Sequence, residues 1–352
     1  MTDLWNYLKT AEKPIVLYGT GDGADKILDI LEKRSVAVSD IFASDGFVRH
    51  RIFRGFEILS YSEIEKKHDD FIILVAFGSN KPDVMEYVFA LAAKHELYIP
   101  DVPAYGSNLF DSLFYNENKS AIDDARALLF DNESKELYDC MINFKLTGKP
   151  EYLTKHLSTA EEAYTEILHP AKYKNVFDLG AYNGDTVLQL SKYVTEDCRI
   201  TAAEPNPKTF AKLCFNTSRL KNVSPLMVAA WDKKDVLTFN TGRGRGASLS
   251  RRNKPKTDEV CADTLDCLSG GEKVDYIKYD VEGAEYEALT GSAGTIKRYS
   301  PELSVSVYHR SEDIFKLIIK LKSINPSYRF YLRRQPCIPA WEINLYAIPA
   351  EF

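Results

Sequence analysis

Short apolar runs recur along the chain, each closed by a glycine- or proline-containing turn and followed by a stretch with helical spacing. Strands alternating with helices in this way predict an α/β fold with parallel sheets covered on both faces. The first such unit is KPIVLYGTGDGADKILDILEK, starting at Lys13. It predicts a strand at Ile15–Tyr18 and a helix at Ala24–Lys33. A second strand follows at Ala37–Phe42, a third at Phe71–Phe77, and a helix from Pro82 to about His95. The second unit, KNVFDLGAYNGDTVLQLSKYV, starts at Lys174 and opens in the same way. This loose internal repeat predicts two Rossmann-like units rather than a solenoid. Between them, Ile122, Ala125, Leu128 and Leu129 recur at three- and four-residue steps, the period of a helix.

In the second unit, strands are predicted at Asn175–Leu179, Arg199–Ala203, Ser224–Ala229, Tyr276–Tyr279, Leu303–Tyr308, Arg329–Arg333 and Ile343–Ile348. That number fits a seven-stranded sheet. The last two strands lie close together across turn residues, which predicts an antiparallel hairpin at the sheet edge. A chain of 352 residues exceeds what one core usually serves. The expected division is therefore a Rossmann-like domain over 1–105, a helical connector over 106–170, and the seven-stranded domain over 171–352. The last is expected to fold without the first.

The formal net charge of -6 argues against a general nucleic-acid binder, since phosphate neutralisation needs a basic surface. No apolar run is long enough to cross a membrane, and the N-terminus lacks the basic and apolar regions of a signal peptide. The six cysteines are scattered, with no CxxC pair and no metal-ligand spacing. They fit thiols in a reducing cytoplasm, the expected location.

Candidate chemistry gathers at the predicted strand ends. In VFDLGAYNGDT, Asp178 ends a strand, and Gly180 and Gly184 allow a ligand close to the backbone. The helix that follows aims its N–H groups at the same place. Glu204 ends the next strand, 24 residues after Gly180 (204 − 180), where a doubly wound sheet holds a ribose diol. In YIKYDVEGAEYEAL, Asp280 ends the fourth strand, with Glu282 and Glu285 on the turn beyond it. His309 closes the fifth.

The region from about Lys174 to Ile348 resembles the FkbM family of S-adenosylmethionine-dependent methyltransferases. The resemblance rests on FDLGAYNGDT, on AAEPNP at Ala202–Pro207, on ADTLD at Ala262–Asp266, on KYDVEGAE at Lys278–Glu285 and on PELSVSVYH ending at His309. It implies methyl transfer from S-adenosylmethionine, usually to an oxygen of a sugar, glycan or polyketide-like alcohol. It places Asp178, Gly180 and Gly184 around the methionine end of the cofactor, with Tyr182, Asn183, Asp185 and Asn206 also in the cofactor site. Glu204 falls at the ribose, and Ala229–Asp232, with Ala230 and Trp231, near the adenine. Asp280, Glu282 and His309 fall at the reacting centre, with Asp280 also touching the cofactor. The family pattern would put a carboxylate or small polar residue where this chain has Tyr308.

Such a transfer needs alignment of nucleophile, carbon and sulfur, and a base for the alcohol. His309 or Asp280 is the expected base. Asp280 and Glu282 also have the oxygen chemistry to hold a divalent cation, but no metal site is predicted. Between the third and fourth strands, GRGRGASLSRRNKPK carries Arg243, Arg245, Arg251, Arg252, Lys254 and Lys256. This segment suits either a solvated loop or a lid that recruits an anionic acceptor.

In the first unit, GTGDGA at Gly19–Ala24 nearly matches a dinucleotide fingerprint, with Asp45 26 residues after Gly19 (45 − 19). This unit resembles the small Rossmann-like domain in front of some sugar-modifying acyltransferases and in some nucleotide-sugar enzymes. That leaves a module for nucleotide or sugar phosphate, or a purely structural one. Two other functions compete with methyl transfer. One is an NAD-dependent sugar oxidoreductase or epimerase, although no Tyr-x-x-x-Lys pair follows the turn. The other is a non-catalytic binding protein.

Overall fold

The computed structural model describes residues 2–44, 51–240, 248–249 and 257–350. Asp45 and all six basic residues of the GRGRGASLSRRNKPK segment lie outside them. Two parallel-dominated sheets organise the chain. The first has six strands: β1 (Ile15–Tyr18), β2 (Asp40–Ala43), β3 (Ile52–Phe53), β4 (Phe56–Ser60), β5 (Ile72–Val75) and β6 (Glu96–Tyr98), in the order β3-β4-β2-β1-β5-β6. Only β3 runs antiparallel to its neighbour. β1, β2 and β5 are buried along their whole length, as a parallel sheet covered on both faces requires.

The second unit contains β7 (Asn175–Leu179), β8 (Arg199–Ala203), β9 (Val223–Leu226), β10 (Ala229–Ala230), β11 (Asp235–Asn240), β12 (Ser248–Leu249), β13 (Thr257–Asp263), β14 (Tyr276–Tyr279), β15 (Glu302–Ser306), β16 (Tyr328–Arg334) and β17 (Ile343–Pro349). Seven of these form one sheet in the order β9-β8-β7-β14-β15-β17-β16. β17 runs antiparallel to β15 and pairs with β16 as the hairpin that closes the edge.

The expected third strand, Ser224–Ala229, is divided. β9 stops at Leu226, and Ala229–Ala230 joins a separate four-stranded sheet in the order β10-β13-β11-β12. Pro225 has no N–H for a second ladder, which suits the edge position of β9. Much of the segment after Asp232 is therefore sheet, not loop.

Helices Ser112–Leu128 and Asn132–Thr147 form the connector. Asp111 and Asp131 cap their N-termini, and left-handed Gly148 (φ 63°) ends the second. The first packs on helix Asp313–Ile324 and the second on β16, so both cover the seven-stranded sheet. One contiguous apolar cluster runs from Val16, Phe42 and Ile73 through Phe110, Tyr138 and Phe144 to Ile277, Val305 and Leu345. The period-based reading did not foresee a core shared across 1–105 and 171–352. The Lys145–Asp101 ion pair, 2.9 Å long and almost fully buried, ties the connector to the first unit. The six cysteines are unpaired, and among the described residues no helix is long and apolar enough to cross a membrane.

Candidate active site

The sheet order reverses between β7 and β14, and the turns after these strands face each other across the switch point. Gly180 has φ 85°, and a Cβ there would lie 1.9 Å from the carbonyl oxygen of Asp280. Any side chain would drive the two turns apart. Gly184 (φ 88°) then caps helix Asp185–Leu190. Asn183 holds the turn by accepting from the Asp185 N–H at 3.2 Å. Behind the turn, Asp178 is buried. The Thr186 hydroxyl donates to its Oδ2 at 2.5 Å. Its Oδ1 has no hydrogen-bond partner and lies 3.6 Å from Lys278 Nζ.

Glu204 ends β8 and is 7% exposed. Backbone N–H groups of Tyr182 and Asn206 donate to its two oxygens at 3.0 and 2.8 Å, which fixes the carboxylate toward the crevice. Burial pushes its pKa up to about 7 against those two bonds. Asn206 also caps helix Pro207–Thr217.

A second cluster forms where β14 and β15 end. His309 is 2% exposed. Its Nδ1 donates to Glu285 Oε1 at 2.9 Å, and its Nε2 lies 3.5 Å from Glu282 Oε2 and 3.7 Å from Asp280 Oδ1. Glu285 is held in turn by the N–H groups of Val281 and Gly283. Burial disfavours a charged imidazole, but the three carboxylates outweigh it and raise the pKa to about 10. His309 is therefore cationic at neutral pH, and a cationic imidazole has no lone pair with which to take a proton.

Asp280 is held below its ordinary value: burial raises it, but Lys278, 3.3 Å away, and His309 prevail. Burial lifts Glu282 to about 7 against the pull of His309 and Tyr105. Tyr105 reaches in from the chain before the connector. Its hydroxyl donates to Glu282 Oε2 at 2.6 Å, and its backbone N–H donates to the His309 carbonyl at 3.1 Å. Glu282 itself sits at φ 56° on the turn.

Both clusters open onto one cavity of about 530 Å³. Of the residues expected at the site, Gly180, Tyr182, Asp185, Glu204, Asn206, Ala230, Asp280, Glu282 and His309 line it. Asp178, Asn183 and Gly184 are not among its lining residues. Trp231 hydrogen-bonds through its backbone to Asp263 in the small sheet. Asp280, Glu285 and His309 each bring a donor atom within 4.8 Å of the others. Glu285 and His309 direct those atoms at each other, and we assign the set no metal.

Lys278 and Thr186 lay inside recognisable motifs but were not singled out. Tyr105, Phe77 and Trp341 also shape the site, and no motif marks them. Their only sequence signal is an aromatic side chain beside Pro103, Gly78 and Pro339.

Residues 178–331 match the family model described as the Methyltransferase FkbM domain. Over that span this chain is similar to FkbM methyltransferases. The matched span of that domain starts at Asp178 and contains Gly180, Glu204, Asp280, Glu282 and His309. The solved structure of Methyltransferase FkbM from Methylobacillus flagellatus KT has the same fold. It is 19% identical, covers 95% of this chain and 90% of its own, and has a TM-score of 0.70. The likeness thus extends beyond the FkbM domain into the N-terminal unit. Aeropyrum pernix fibrillarin in complex with natively bound S-adenosyl-L-methionine is 14% identical over 52% of this chain and 70% of that one, with a TM-score of 0.35. An Aquifex aeolicus SAM-dependent methyltransferase is 16% identical over 56% and 97%, with a TM-score of 0.32. No curated protein matches the sequence.

Proposed function

We propose that the chain is an S-adenosylmethionine-dependent O-methyltransferase acting on a hydroxyl of a sugar, glycan or nucleotide-linked sugar in the cytoplasm. We divide it into a Rossmann-like unit over 1–105, a connector over 106–170 and the methyltransferase unit over 171–352. The reading rests on one observation above all. The turns after β7 and β8 close around a buried carboxylate, Glu204, in the same cavity that holds a proton-accepting cluster at the ends of β14 and β15.

These residues fit the cofactor. Gly180 and Glu204 both line the cavity, and Glu204, held by two backbone N–H groups, is positioned to accept from a diol. S-adenosylmethionine supplies the electrophilic methyl group when bound. Glu282 is the base: its carboxylate accepts the acceptor's hydroxyl proton, and a pKa near 7 suits proton transfer at neutral pH. Cationic His309 holds Glu282 and Asp280 in place and balances their charge. Tyr105 orients Glu282 through the bond to Oε2.

Calorimetric titration of the full chain with S-adenosylhomocysteine, and separately with NAD, tests the assignment. One-to-one binding of the first and no heat with the second is expected. Binding of NAD alone would return the function to the oxidoreductase reading.

A further inference from the structure

Apart from Tyr105, nothing so far gives the N-terminal unit a part in the reaction, yet it forms one wall of the cavity. Asp22, Lys26, Phe77, Gly78 and Val102 line it on that side. Three close contacts join the unit to the turns after β14 and β16. Gly78 lies so close to Trp341 that a Cβ there would sit 2.2 Å from the indole. Ser79 and Ile338 exchange backbone hydrogen bonds at 2.7 and 2.9 Å. The Tyr105 ring covers Gly283, where a Cβ would meet it at 2.8 Å. These partners follow β14 and β16, on the side of Asp280, Glu282 and His309. Glu204 and the ribose position lie on the other side of the switch point, after β8.

We propose that the N-terminal unit forms the acceptor subsite, and that this subsite takes an uncharged, hydroxyl-bearing ring rather than a phosphorylated one. The proposal rests on the methyltransferase reading of the turns after β7 and β8.

Charge decides the second part. Among the described residues, the cations lining the cavity are Lys26, Lys278 and His309. Lys26 pairs with Asp22 at 3.1 Å and donates to the carbonyls of Pro103 and Ala104 at 3.3 and 3.0 Å. Lys278 stands between Asp178 and Asp280, and His309 among three carboxylates. The same wall carries Asp22, Asp280, Glu282 and Glu342. A phosphate entering here would lose its hydration and meet carboxylates, with each cation already held by one. Hydroxyl groups donate to carboxylates, and the apolar face of a sugar-like ring packs on aromatic side chains. Phe77 and Trp341 supply that surface on the N-terminal side.

The test uses the full chain saturated with S-adenosylhomocysteine, whose binding is measured first. Ligand-observed NMR then follows a panel of methyl glycosides and the matching sugar 1-phosphates. At least one methyl glycoside should bind, and its 1-phosphate counterpart should bind about tenfold more weakly or worse. Phe77→Ala and Trp341→Ala should each weaken the glycoside about tenfold while leaving the S-adenosylhomocysteine Kd within about twofold. Phe77→Leu is read alongside them as the variant gentlest to folding and should show the same direction. Preference for the 1-phosphates, unchanged glycoside affinity in the variants, or no binding by any glycoside would overturn the proposal. A wild-type chain that fails the first titration overturns the methyltransferase reading itself, before any sugar is added.

Discussion

At Glu282, burial raises the carboxyl to about 7 while the charge of His309 and the Tyr105 hydroxyl pull it down, and Asp280 and Glu285 push it up. Glu204 and Tyr308 also feel its charge. Glu282 accepts a proton only when ionised, so kcat/KM should fall as the pH drops through about 7. His309 should stay cationic until about pH 10, so its deprotonation limits only the alkaline end. Tyr105→Phe removes a bond that favours the ionised form, so the acid midpoint should move upward by roughly half a unit to one unit. A pH–rate profile in which Tyr105→Phe lowers activity without moving the midpoint would assign the tyrosine to packing alone. Glu282→Gln should lower kcat by about 10²–10⁴-fold with S-adenosylhomocysteine affinity unchanged. The motif reading names Asp280, Glu282 and His309 as the reacting centre with His309 or Asp280 as base, and the base proposed from the geometry is Glu282. Spacing alone does not reveal that three carboxylates surround one imidazole and keep it charged.

The elements show why the central strands were legible and the outer ones less so. β7, β8 and β14 are short, apolar and bounded by glycine, proline or charge, and the spacing placed them to the residue. β9 is half exposed at an edge and contains Pro225, so neither period nor burial marks its end. β11 and β13 pair with each other over six positions, a long-range choice that composition hides beneath charged residues. The turn after β7 is the element on which the site depends most. Gly180→Ala would force a Cβ against the Asp280 carbonyl from a left-handed backbone position. It should destabilise the chain by about 3–5 kcal/mol in urea denaturation, with cofactor affinity lost in whatever remains folded. A stability loss below about 1 kcal/mol would show that the two turns can part freely.

For the whole molecule, two parallel-dominated sheets were readable from a repeated strand–turn–helix opening, and their joining was not. The shared apolar cluster, the Lys145–Asp101 pair and the Ser79–Ile338 bridge depend on residues far apart in sequence, whose pairing leaves no periodic trace. Deleting residues 1–105 would remove the Asp101 partner of Lys145 and expose to water the apolar surface that Val16, Phe42, Ile73 and Ile99 now cover. The remaining 106–352 should therefore melt well below the full chain or fail to fold. A truncated chain as stable as the parent would show the cluster to be two independent cores. On the proposed function both units close on one cavity, with the methyl donor on the β7–β8 side and the acceptor opposite. A crystal structure with S-adenosylhomocysteine tests it most directly. The ribose is expected on Glu204 and the sulfur turned toward Glu282. A nucleoside lying instead against the GTGDGA turn of the first unit would contradict it.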